Sequence, residues 1–197
     1  MRATYLPDGH VGLHPRRWFS LDERPGSPDL ARTRPELLDA DGLLVASIGA
    51  VLLEGPGWRV LVDAGLGPVH VAADATHASI GAMVGGGLLE HADLVASVDA
   101  VVLTHAHDDH TAGHMSLEVM HEQSRLLVVG DVLHSVVQLE HPGWGSCFDV
   151  DPATAERSRR RVLDALSVPG TTGVATHLAD VPFGVVREGR WVPADDD

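Results

Sequence analysis

Six consecutive residues, His105-Ala106-His107-Asp108-Asp109-His110, bring three imidazoles and two carboxylates together one residue, Thr104, after the apolar run Val98-Asp99-Ala100-Val101-Val102-Leu103. Core packing has no use for that density of ionisable groups. Side chains repeat their direction every two residues in extended chain, so His105 and His107 leave a strand end on the same side. Imidazole and carboxylate together suit zinc and other borderline first-row metals. The chain has 13 His, so an isolated pair would mean little. A His-x-His-x-Asp-His run at the end of a β-type segment is different, and it predicts metal binding.

The run resembles the signature of the metallo-β-lactamase-fold hydrolases, and further segments resemble that family's other motifs in the same order. Asp63-Ala64-Gly65 after Trp58-Arg59-Val60-Leu61-Val62 resembles its strand ending in Asp-x-Gly. Gly113-His114-Met115-Ser116 resembles the motif that supplies another His ligand. Gly130-Asp131 after Leu126-Leu127-Val128-Val129 resembles the strand with the bridging Asp, and Ala175-Thr176-His177 the final His. The succession covers about residues 43–192. It implies an α/β fold, an αββα sandwich of two mixed β-sheets flanked by helices. It also implies two divalent metal ions, with zinc expected. His105, His107 and His114 would hold the first, Asp109, His110 and His177 the second, and Asp131 would bridge them. Two cations sharing a carboxylate lower the pKa of water between them, and Asp109 could carry a proton to the leaving group as the catalytic residue.

The chain departs from the family at one place. Only Thr111, Ala112 and Gly113 separate His110 from His114, where the family has a long stretch. An internal block is therefore expected to be absent and one sheet incomplete, leaving an exposed strand edge and an open cleft. A helical path would stack His110 and His114 on one face about 6 Å apart along the axis. An extended path would reach at most about 14 Å. His114 then either reaches the metals or ends the loop in solvent.

Length and composition fit one domain over residues 1–197 with a core of Val, Leu and Ala, since aromatic residues are only 4%. Residues 1–40, with Pro15, Pro25, Pro28 and Pro35, read as an irregular arm, and residues 194–197 as a frayed tail. The formal net charge of −14 disfavours nucleic acid and anionic membrane surfaces as partners, and leaves a small-molecule substrate. Cys147, the single cysteine, allows no intrachain disulfide and reads as a small half-buried residue. The N-terminus lacks the apolar core of a signal peptide and no window approaches a membrane span, so a cytoplasmic location is the default expectation.

Leu43–Leu53 and Val60–Val62 read as a hairpin around Gly55-Pro56-Gly57. The stretch with Gly81, Gly85, Gly86 and Gly87 reads as a flexible loop near the site, followed by a short helix over residues 88–95. Val98–Leu103 reads as a buried strand. A second hairpin spans Met115–Met120 and Arg125–Val129, and Asp151-Pro152 opens the clearest helix. Arg157, Arg160 and Arg161 read as its solvated face. Val174–His177 and Val185-Val186 read as closing strands.

Two functions follow. One is a metal-dependent hydrolase acting on an ester, lactone or similar bond. Leu133-His134 and the 138–144 stretch resemble a subgroup with lactonase-like and organophosphate-hydrolase-like members, in which His134, His141 and Trp144 face substrate or serve structure. The other is a shortened, metal-binding but non-catalytic chain that forms a homodimer or aggregates through its open edge.

Overall fold

In the computed structural model the described residues are 1–24, 26–72, 78–105, 114–178 and 180–194. They form two mixed β-sheets. The first has strands β1 (Arg2–Leu13), β2 (Leu44–Gly55), β3 (Trp58–Val62), β4 (Val69–Val71), β5 (Ile80–Gly85) and β6 (Ala100–Val102), in the order β4-β5-β1-β2-β3-β6. The second has β7 (Leu117–His121), β8 (Ser124–Val128), β9 (Thr171–Val174), β10 (Phe183–Arg187) and β11 (Arg190–Pro193), in the order β11-β10-β9-β8-β7. Pairing is antiparallel except for β3 with β6 and β8 with β9.

The layers follow from side-chain alternation. On β2, Val51 and Leu53 point with Val62 of β3 into the space between the sheets, where they meet Leu126, Val128 and Val174. The intervening Ala50 and Leu52 point the other way, with Leu6 and Leu61, under Leu88, Val95 and Val98. Behind the second sheet, Leu127, Val129 and Ala175 pack against Val162, Leu163 and Leu166 of the helix Pro152–Leu166. That helix starts as expected, with Asp151 accepting the Thr154 N–H at 3.0 Å. Arg157, Arg160 and Arg161 are exposed. Arg159, between them, turns inward to the carbonyls of Val132 and Pro142 and to Asp149.

Three expectations are corrected. Residues 2–13, assigned to an irregular arm, form a 12-residue strand in the interior of the first sheet. The β1–β2 register shifts between Pro7 and Gly9, and a bulge of this kind accommodates a proline within a sheet. Gly81 and Gly85, assigned to a loop, lie on β5, which pairs with both β1 and β4. Val98–Leu103, read as buried, supplies the edge strand β6, and Val101 and Leu103 are about half exposed at 51% and 53%. Met120, on the edge strand β7 of the other sheet, and Met115, just before it, are also exposed.

One buried acid ties the first sheet to its loops. Asp8 on β1 is 3% exposed. Its Oδ2 accepts the N–H groups of Leu66 and Gly67, and its Oδ1 those of Gly86 and Leu88, at 2.6–3.1 Å. Gly65 makes the approach feasible, because it has φ +63° and a Cβ there would lie 2.4 Å from Asp8 Oδ2.

Candidate metal centre

Strand ends from both sheets converge on Asp131. His105 follows β6, Asp131 lies in the 3-10 turn Gly130–Val132 after β8, and His177 follows β9. Asp131 Oδ1 is 2.9 Å from His177 Nε2, and its Oδ2 is 3.3 Å from His105 Nε2 and 3.7 Å from His134 Nε2. The Asp131 side chain is only 9% exposed.

Each imidazole is oriented from behind. His177 Nδ1 lies 2.7 Å from the Ser47 carbonyl, which can only accept, so Nδ1 carries the proton. Ser47 also donates its hydroxyl to the Thr176 carbonyl. His105 is held through Thr104. The Thr104 N–H and hydroxyl both reach the Asp63 carboxylate at 2.8–3.1 Å. A hydroxyl has one proton to give, so Thr104 Oγ1 accepts from His105 Nδ1 at 2.9 Å. In both rings this leaves Nε2 as the ligand nitrogen. An imidazole fixed through its other ring nitrogen is the arrangement metal sites use. Asp63 itself has φ +60°, a strained backbone that the Val102 carbonyl helps to hold through the Asp63 N–H.

His134 is positioned by a side chain. Its N–H and that of Ser135 donate to Gln138 Oε1, and the fully buried Gln138 donates onward to the Trp144 carbonyl. The His134 ring stacks on His177 with centroids 4.9 Å apart and meets Trp18 edge-on at 5.0 Å.

His114 comes close without joining this ring of contacts in the same way. Its ring centroid is 5.4 Å from that of His105, but its Nε2 accepts the Asp131 N–H at 2.9 Å. Gly130 permits this approach: it has φ +61°, and a Cβ there would stand 2.7 Å from His114 Nε2. The Met115 N–H donates to the Thr104 carbonyl, so the segments on either side of residues 106–113 meet. The expected site residues His107, Asp109 and His110 lie outside the described residues. His105, Asp131 and His177 are brought together, His114 adjoins them, and His134, expected to face substrate or serve structure, is a further neighbour.

The donor set fits a divalent cation. A buried carboxylate needs opposite charge or a metal. One donor atom each from Asp131, His134 and His177 lies within 4.8 Å of the others. Ligand atoms about 2.0–2.1 Å from a tetrahedral zinc would stand about 3.3 Å apart, close to the separations here. Beside the cluster is a cleft of about 240 Å³ bounded by Ile48, Asp63, Gly65, His105, Asp131 and His177.

Without a cation, the cluster neutralises itself with protons. Burial pushes the Asp131 carboxyl up, but the His177 charge and hydrogen bonds from His105, His134 and His177 override it and hold the carboxyl well below the usual carboxylate range. The hydrogen bond to Asp131 raises His105 against the opposing effect of burial. Burial lowers His177, and Asp131 more than reverses that. The two imidazoles therefore contribute stability below about pH 6.5, the unfolded value, and lose it as pH rises through their raised folded values. Asp131 contributes above about pH 3.8 and loses its share only in stronger acid. Chelator-treated protein is thus expected to melt at lower temperature as pH rises from about 6 to about 8. With zinc in excess the slope should reverse, because ligation requires neutral imidazoles. Thermal melts across pH, with and without metal, check both signs.

The fold matches that of known proteins. Residues 46–118 match the model of the metallo-beta-lactamase superfamily. No curated protein sequence matches the chain significantly. Among solved structures, the hydrolase AbOPH of the beta lactamase superfamily aligns with TM-score 0.74 and 17% identity, over 99% of this chain and 94% of that one. AidC, a dizinc quorum-quenching lactonase in complex with a product N-hexanoyl-L-homoserine, aligns with TM-score 0.73 and 15% identity, over 98% and 94%. An N-acyl homoserine lactone hydrolase with N-hexanoyl-L-homoserine bound at its catalytic metal center gives TM-score 0.53 and 15% identity, over 89% and 92%. At these identities the likeness to the solved structures is one of fold. With its motif-bearing segment and two-sheet architecture, the chain is a protein of the metallo-beta-lactamase fold.

Proposed function

We propose that the chain is a metal-dependent hydrolase of small molecules, acting on an ester, lactone or similar acyl bond. The observation that carries this reading is the nearly buried Asp131 carboxylate ringed by the imidazoles of His105, His134 and His177 beside an open cleft. The hydrolase and lactonase activities named for the fold neighbours support it. The chemistry a divalent cation supplies in such a site is polarisation of the scissile carbonyl and ionisation of water near neutral pH. In this reading His105, Asp131 and His177 hold metal together with His107, Asp109 and His110, His114 joins them by exchanging the Asp131 N–H at its Nε2 for the ion, and zinc is the expected ion, two per chain. Asp131 lends negative charge, Ser47 and Thr104 keep the two imidazoles in the ligating tautomer, and Asp109 passes a proton to the leaving group. Elemental analysis combined with a panel of p-nitrophenyl esters and lactones tests the reading. The expected result is two metals per chain and turnover that is lost on chelation. Asp109→Ala should lower turnover by about 100-fold or more, within the usual range for a proton-transfer group, and Cys147→Ala should not. Equal activities in those two variants would count against the mechanism.

A second reading, a metal-binding chain that self-associates without turnover, draws on the uncovered edge strand β6 with Val101 and Leu103 half exposed. It would give bound metal, no turnover on the panel and a concentration-dependent sedimentation coefficient.

A further inference from the structure

Arg159, in the middle of the helix Pro152–Leu166, is 2% exposed. Its Nε donates to the Val132 carbonyl at 2.9 Å and its Nη1 to the Pro142 carbonyl at 2.8 Å. Its Nη2 is 3.7 Å from Asp149 Oδ2, a long contact for so buried an ion pair. Such a pair adds little net stability over apolar side chains of the same volume, so stability alone does not account for a cation here.

Both carbonyls belong to segments that place a member of the histidine–aspartate cluster. Val132 ends the Gly130–Val132 turn that carries Asp131. The last carbonyls of a helical turn have no partner within it, and Arg159 supplies one. Pro142 lies in the stretch whose Trp144 carbonyl accepts from Gln138 Nε2 at 2.7 Å, and Gln138 Oε1 accepts the His134 N–H at 2.7 Å. One planar fork thus spans the backbone behind Asp131 and the backbone behind His134, whose side chains are 3.7 Å apart. Arg159 and Asp131 also line one small polar chamber of about 60 Å³, with His114, Asp149 and Ser158. The Asp131 N–H is held by His114 Nε2. When that nitrogen turns to a cation, the Arg159 bond stays to hold the turn.

We infer that Arg159 is a positioning residue: its fork fixes the Asp131 turn against the His134 loop and so sets the spacing of the donors offered to the metal. The inference rests on the metal-site reading for that last step, while the spacing itself belongs to the metal-free protein. A guanidinium holds its donors in one plane, whereas lysine brings a point charge on a flexible stem. Arg159→Lys therefore keeps a cation for Asp149 and loses the fork. Groups that support a metal site in this way change its affinity by about 10–100-fold.

The test compares Arg159→Lys, the double variant Arg159→Met/Asp149→Asn, which removes the fork without leaving an unpaired charge, and Asp149→Asn alone. Zinc affinity is read by calorimetry, and imidazole nitrogen signals by NMR on chelator-treated full-length protein. Both Arg159 variants should bind zinc at least about 10-fold more weakly. The His134 and His177 signals should shift in both, while those of the exposed His70 on β4 and His121 at the end of β7 should stay. Asp149→Asn should change neither readout. Unaltered zinc affinity in the Arg159 variants, unmoved His134 and His177 signals, or an equal loss in Asp149→Asn would overturn the inference. So would shifts that spread to His70 and His121, the mark of a general loosening. An unmodified protein that takes up no zinc would instead remove the metal-site reading, and the imidazole signals would then decide the role of Arg159 by themselves.

Discussion

Asp131→Asn should leave a folded protein that no longer retains metal. Asparagine keeps the shape of the side chain and removes its charge, so a cation in the site would lose its negative counterpart. The substituted amide would also turn an NH2 toward one of the imidazoles it now faces as an acceptor. Altering groups that merely support a ligand lowers metal affinity by about 10–100-fold. Removing the carboxylate itself should cost at least about 100-fold, with turnover falling in step. The metal-free variant carries a second signature. His105 and His177 would lose the partner that raises their pKa, so its stability should no longer decline as pH rises above neutrality. Asp149→Asn is the matched control. Asp149 is also a largely buried acid, 3.7 Å from Arg159 Nη2 rather than from the imidazoles, and its loss should leave metal content intact. Full metal occupancy in Asp131→Asn would place the cation elsewhere.

His105 was legible as a candidate in the His-x-His-x-Asp-His run. Asp131 and His177 were legible only through their place in the order of motifs that resembles the metallo-β-lactamase-fold hydrolases, because a Gly-Asp or a lone His at a strand end otherwise reads as a turn residue. His134 was not legible in that way. Its resemblance to a hydrolase subgroup gave it a substrate-facing or structural role rather than a ligand role, and what brings it to Asp131 is a 3-10 turn and the buried amide of Gln138. The layered sandwich could be read from alternating apolar runs, and β2 with its neighbours follows that pattern. Two interior strands of the first sheet escaped. In β1, Pro7, Asp8 and Gly9 resemble a turn, yet Pro7 and Gly9 flank a register shift and Asp8 is a buried anchor. In β5, a glycine that looks like a loop residue is needed because backbone presses close: a Cβ on Gly85 would lie 2.7 Å from the Gly67 carbonyl oxygen. Glycine and proline report permitted backbone, and a bulge or a crowded strand permits them as readily as a loop does.

Asp8 offers the largest expected loss of stability from one substitution. Its carboxylate is the acceptor for the backbone N–H groups of Leu66, Gly67, Gly86 and Leu88. Leaving a buried donor unsatisfied costs about 1–3 kcal/mol. With some re-entry of water, Asp8→Ala should still lose at least about 3 kcal/mol, a large share of the 5–15 kcal/mol typical of a folded domain. Asp8→Asn should do nearly as badly, because its single carbonyl can serve one pair of donors while its NH2 faces the other pair. An Asn variant close to the unmodified protein in urea denaturation would mean that the charge is dispensable. The loss should also reach the metal centre, because residues 63–67 carry Asp63, which holds Thr104 and through it His105. Metal affinity should therefore fall along with stability in the Asp8 variants. Asp151→Ala separates the two effects. It removes a helix cap, worth about 1 kcal/mol, far from this chain of contacts, and should lower the melting temperature while leaving metal affinity unchanged.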